Sequence, residues 1–206
     1  MFTDTLIVAF VSFARTAIGT VVRPYETYRK IADRSGTREF LGIMLLVGFY
    51  FALSSVIRTA AFRPFLLTRQ FVVLAFATVV TFGFVVAVLW GFSRLFGGRG
   101  TFRGVALCWG YSLLPTFFWF LTTSLLYLLI PPPRTTRIQG VLFSIVYLVF
   151  SATLFFWKAT LAYLTLRFGM RLDLLRIVAV FAVAVPLVVV YSIGMYRLGI
   201  FRIPFL

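Results

Sequence analysis

The sequence predicts an all-α, polytopic integral membrane protein, with five transmembrane helices preceded by an N-terminal interfacial amphipathic helix. Three observations carry that expectation. Of 206 residues, 62% are hydrophobic and 12% charged, with mean hydropathy +1.04; a soluble domain is about 45–50% apolar and about 25% charged. A globule of this size cannot bury the apolar excess, so a bilayer must receive it. Uncharged runs of spanning length follow one another at short intervals, and cations punctuate their ends while all five carboxylates lie outside them.

Residues 1–39 read as a cytoplasmic N-terminal segment. It opens with Asp4 and meets its first cation at Arg15, after the apolar stretch, the reverse of a secretory signal. The run Leu6–Ala14 gives about 13 Å of helix, too short to span. Leu6, Phe10, Phe13, Ala17 and Val21 recur at intervals of three and four, which predicts a helix over 2–22 lying in the interface, capped by Thr3 or Asp4. Arg23-Pro24 ends that helix. Residues 25–38 are polar and basic, with a turn at Gly36.

Residues 40–193 form the five-helix transmembrane domain. Its spans are expected at about 40–57, 71–92, 105–130, 141–166 and 177–193. Pro64 falls in the first connection, and Gly97, Gly98 and Gly100 supply turn residues in the second. Pro131, Pro132 and Pro133 stop the third span. Gly169 sits in a short basic hinge, and Asp173 is placed to cap the fifth helix, which carries Pro186 inside it. Residues 194–206 are a C-terminal tail.

Cations near the span ends number twelve on the N-terminal side and seven on the other. The excess puts the N-terminus in the cytoplasm and the C-terminus outside. Because the cations punctuate runs instead of forming one stripe, nucleic acid is not an expected partner. Arg94, Arg99, Arg103, Arg167, Arg171 and Arg176 are the expected contacts to anionic lipid headgroups.

Little is left for catalysis. The chain has no histidine, and Cys108 is its single cysteine, so no metal or cofactor site is expected. No span holds a carboxylate, which argues against coupled carriers and intramembrane proteases. Gly97-Gly98-Arg99-Gly100 lacks the spacing of a phosphate loop. The chain is therefore read as no enzyme.

Two features stand out in the spans. Lys158 lies about 13 Å of helix from Arg167, and a cation near a span centre costs roughly 2.5–3.5 kcal/mol on insertion scales. It either snorkels beside Trp157 or makes a buried contact. In the third span, Gly110, Tyr111, Ser112 and Pro115 mark a disturbed helix. Pro115 donates no amide hydrogen and presses on the carbonyl of Tyr111, Ser112 can serve the freed backbone, and Gly110 admits a neighbour. This is a packed kink or a hinge lining a polar cavity. With Trp157 and Lys158, these residues form the candidate functional core.

Tyr111-Ser112 followed by Pro115 resembles the Tyr-Ser-x-x-Pro signature of the Yip1-type membrane proteins. Pro24 with Tyr28 and Ile31 is similar to that family's entry segment, and Trp157, Leu161 and residues 172–179 are similar to its Trp-containing helix and the turn into the last helix. The likeness covers roughly residues 23–193. It implies five spans, a cytoplasmic N-terminus and no catalytic residue. A long polar N-terminal region, through which eukaryotic members meet small GTPases, is missing here, which points to the prokaryotic branch and to the cytoplasmic (inner) membrane of a bacterium. The expected function is that of a non-enzymatic interaction or membrane-organising subunit within a larger envelope complex, with membrane lipids and a protein in the membrane as partners. The alternative is a passive permeation or lipid-translocating protein with a kinked-helix cavity near Lys158. A wet cavity around Tyr111, Ser112 and Lys158 would favour the alternative, and a dry helix core the first.

Overall fold

The computed structural model describes residues 2–33, 40, 42–45, 47–49, 64–129 and 138–198. All regular structure among them is helical: α1 (Phe2–Val22), α2 (Pro24–Asp33), α3 (Pro64–Leu95), α4 (Phe102–Tyr111), α5 (Leu114–Leu129), α6 (Ile138–Gly169) and α7 (Leu174–Arg197). Residues 40, 42–45 and 47–49, at the start of the expected first span, are helical; the rest of that span lies outside the described residues, as do Gly36, Pro131–Pro133 and 199–206. Among the described residues, four stretches are long and apolar enough to cross a bilayer: Phe71–Leu95, Phe102–Leu126, Gly140–Gly169 and Leu174–Arg197. The protein is a multi-pass helical membrane protein.

Helix α1 spans the expected residues 2–22, but some local features differ from expectation. Helix α1 begins at Phe2, so Thr3 and Asp4 lie inside its first turn instead of capping it. Its expected single apolar stripe is split, with Phe13 turned inward. Phe13, Thr16 and Thr20 are buried, whereas Phe10 and Val21 point outward with Val8, Val11 and Ile18. The two threonine hydroxyls donate to the carbonyls of Ser12 and Thr16, which satisfies them without water. The polar 25–38 stretch contains α2, a helix the hydropathy did not announce. Pro24 starts it, where a missing N–H costs nothing, and it buries only Tyr28 and Ile31.

Among the described residues the core forms two clusters. One joins α3, α4, α6 and α7 through Val86, Leu89, Val105, Leu166, Ile177 and Val180. The other joins α1, α2, α4 and α6 through Phe13, Tyr28, Ile43, Leu107, Tyr111 and Leu161.

The α3–α4 and α6–α7 connections interlock. Arg99 N–H donates to the Met170 carbonyl at 3.0 Å, and Gly98 N–H donates to the Ser93 carbonyl at 2.7 Å. Gly97 takes φ +84°, a conformation glycine adopts freely. A Cβ on Gly100 would collide with the Gly169 carbonyl, so the two loops cross backbone on backbone. The chain leaves α6 through Arg171 at φ 56°. Asp173 occupies the N-cap position of α7 but makes no side-chain cap bond. Its carboxylate accepts from Arg167 at 2.8 Å instead.

Candidate functional site

The third span is broken where the Gly110–Pro115 pattern falls. Helix α4 stops at Tyr111, residues 112–113 form a turn, and α5 begins at Leu114. Pro115 thus lies in the first turn of α5, where its lack of an N–H is tolerated. The turn is tight: Leu113 N–H donates to the Gly110 carbonyl at 3.2 Å, and the Ser112 hydroxyl donates to the Trp109 carbonyl at 2.7 Å. Gly110 faces Ile43, whose Cδ1 lies 2.6 Å from where a Cβ would sit. No larger residue fits there without moving its neighbour.

Tyr111 and Ser112 are fully buried. The Tyr111 ring stacks on Phe13 with centroids 5.9 Å apart, so α1 closes over the break. Beside it, Tyr28 of α2 inserts between α4 and α6 and donates its hydroxyl to the Cys108 carbonyl at 3.1 Å. Burial, then the neighbouring Cys108, hold the Tyr28 hydroxyl well above its ordinary pKa, so it stays a neutral donor. The sequence pattern alone does not single out Tyr28; the entry-segment resemblance does.

Lys158 comes to the other flank of the break. Its Nζ donates to the Thr116 hydroxyl at 2.9 Å and lies 5.9 Å from the Trp109 ring centroid, within cation–π reach. Trp157 packs against Phe118 with centroids 6.1 Å apart. The six core candidates therefore meet around one helix break. They divide between two sides: Gly110, Tyr111 and Ser112 seal inward against Ile43 and Phe13, while Lys158 and Trp157 approach Thr116, Trp109 and Phe118. Thr116 and Trp109 were missed by sequence reasoning, since nothing local marks a hydroxyl 42 residues away as the partner of a lysine.

The six headgroup candidates gather where the two connections interlock. Arg94 ends α3 and lies over the Trp90 ring at 5.5 Å. Arg99 and Arg103 flank the start of α4, and Arg176 reaches to within 3.1 Å of a Cβ built on Gly97. Arg167 donates to the Leu172 carbonyl and to Asp173, each at 2.8 Å. Arg171 pairs with Asp33 of α2 at 3.7 Å, both side chains well exposed. Helix α2 adds exposed Arg29 and Lys30 to the same end. Apart from Arg167, the six are solvent-exposed, and the cations there outnumber Asp33 and Asp173. Among the described residues no cluster of His, Cys, Asp or Glu has metal-binding geometry.

The Yip1 domain family model matches residues 18–196, which covers the break, the Lys158 contacts and the basic end. No curated protein and no solved structure matches the chain.

Proposed function

The chain belongs to the Yip1 domain family, and we propose that it acts as a non-enzymatic interaction or membrane-organising subunit of a larger envelope complex. In this reading it sits in the cytoplasmic membrane of a bacterium with its N-terminus inside. The basic end lies against anionic headgroups, and a protein partner docks in the membrane plane. The cation excess on that side supports the orientation.

One observation carries the reading: the broken third span is closed. Tyr111 and Ser112 are buried, the Ser112 hydroxyl is satisfied by its own helix, and Phe13 covers Tyr111. A permeation route through this break would need those two residues to face an opening. A closed junction favours a scaffold that holds α1 and α2 at the basic end. The exposed arginines there suit anionic lipid, each worth about 1 kcal/mol near a charged surface.

Purification from the native membrane in gentle detergent, with identification of co-purifying proteins and lipids, tests the reading. A stoichiometric protein partner with enriched anionic phospholipid is the expected result. Lys158→Met should insert at parental abundance yet lose association, with Lys158→Arg intermediate because a planar fork replaces the ammonium. Arg99→Gln should behave like the parent. Full association by Lys158→Met would reduce Lys158 to a packing role, and purification as a lone protein would remove the subunit reading.

A further inference from the structure

A cleft of about 170 Å³ opens between the described helical residues 40, 43, 44, 47 and 48 and helix α3. Ile43, Met44 and Gly48 form one wall, Thr78 and Val79 the other, and Leu113 at the helix break contributes from beneath. Thr78 lies seven residues into the Phe71–Leu95 span, hence about 10 Å of helix from its Phe71 end, within a hydrocarbon core roughly 30 Å thick. The rim residues Met44 and Val79 are exposed and apolar. The cleft therefore opens sideways into lipid. An apolar cavity of about 150 Å³ stays dry and takes a six-carbon hydrocarbon such as benzene; this one is slightly larger and equally apolar.

A second feature marks the same place. Eight described threonines, from Thr16 to Thr165, donate their hydroxyls to the carbonyl four residues earlier. Thr78 does not, and its buried hydroxyl has no partner. One turn on, Thr81 makes the ordinary bond to Ala77. The Thr78 hydroxyl is itself shut away from the cleft, so the α3 wall there presents only apolar surface.

We propose that the cleft binds a segment of one hydrocarbon chain of a membrane lipid, seated between Ile43, Met44 and Gly48 on one side and α3 on the other, with Leu113 at its base. The proposal is independent of the scaffold reading, since a chain can fill this cleft whether or not a protein partner exists. The material that meets the mouth at this depth is lipid chain, and an apolar lining offers water nothing to bond. A chain held there would brace Leu113 and so the break between α4 and α5.

The test uses the full chain in vesicles of phosphatidylethanolamine and phosphatidylglycerol, doped with a phosphatidylcholine carrying a mid-chain diazirine. Adducts formed on illumination are mapped by peptide mass spectrometry. Adducts at Met44 and Val79 should be about fivefold denser than at Leu148 and Val149, exposed residues of α6 that meet bulk lipid. Gly48→Leu should abolish that excess, because a Cβ at Gly48 meets nothing within 4 Å and the longer side chain fills the cleft. If that variant does not insert, the decision falls to Gly48→Ala, which should lower the excess about twofold. Thr78→Val should keep it. Equal labelling of cleft and bulk surfaces would overturn the proposal, as would an excess that survives the Gly48 variants. Loss of labelling in Thr78→Val would mean a polar occupant, and cross-links between two copies through Met44 or Val79 would mean a dimer face; either result refutes a lipid chain.

Discussion

The two ends of α6 are equally apolar in sequence and opposite in environment. From Val141 to Phe156 most side chains face outward, Leu148 with 68% of its surface exposed. From Leu161 to Leu166, Leu161, Leu164, Thr165 and Leu166 are all buried against α2, α4 and α5 or α7 neighbours. In water the first half would be impossible. In a bilayer both are content, because lipid tails are as apolar as leucine and removing such a surface from lipid gains no hydrophobic free energy. What distinguishes the halves is packing: close backbone approach, small residues and satisfied polar groups.

That contrast breaks most sharply at the interlocked loops. Gly100→Val places its Cβ into the Gly169 carbonyl, a backbone group that cannot swing aside. Overpacking a core usually costs about 1–3 kcal/mol through shifting side chains; here two loops must part. The expected outcome is loss of the folded protein, read as degradation in the membrane or an aggregated peak in gel filtration. Gly91→Val, at a position with nothing within 4 Å of a built Cβ, should fold normally.

Next in size is Leu164→Ala in the packed half. The side chain is buried among α1, α2 and α4 residues, and truncation leaves a cavity that neighbours fill incompletely. A loss of roughly 2–4 kcal/mol is expected in reversible unfolding in mixed micelles. Tyr28→Phe should cost less, about 1–2 kcal/mol, by removing the hydroxyl that serves the buried Cys108 carbonyl while keeping the ring. Because that hydroxyl is held neutral by burial, its contribution should be constant from pH 6 to about pH 9 and fall only above the ordinary tyrosine range, where unfolding releases a proton.

The same contrast explains what was legible beforehand. Long uncharged runs announce spanning helices because a bilayer demands about 20 apolar residues of helix, so 71–92, 141–166 and 177–193 each fall within an observed helix. The Gly110–Pro115 pattern announced a disturbed third span because proline removes a donor wherever it sits. Faces were harder. In α1 the most apolar stripe suggested Phe10 and Val21 as neighbours of Phe13, yet Thr16 and Thr20 turn inward with it. Apolar moment finds the lipid face of a membrane helix, and the protein face carries small hydroxyls. Helix α2 stayed hidden for the opposite reason, since it is mostly polar and buries two side chains, Tyr28 and Ile31. Lys158 was visible as an anomaly, but Thr116 was not, because a tertiary hydrogen bond leaves no trace in local spacing.

The smallest effect should come from Leu148→Ala in the outward half of α6. The substitution removes the same atoms as Leu164→Ala, from a residue of the same type on the same helix. In water-soluble proteins an exposed leucine truncation is near neutral because little burial is lost. Here the reason differs: Leu148 is surrounded by acyl chains in the folded state and equally so in a helix that has separated from its neighbours within the bilayer. Neither transfer from water nor an internal cavity enters the difference, and fluid chains close over the shortened side chain. The expected change is within about 0.5 kcal/mol, measured in the same mixed micelles as Leu164→Ala. A loss near that of Leu164→Ala would show that this half of α6 is covered by protein, and would place a partner helix on the face that the chain alone leaves to lipid.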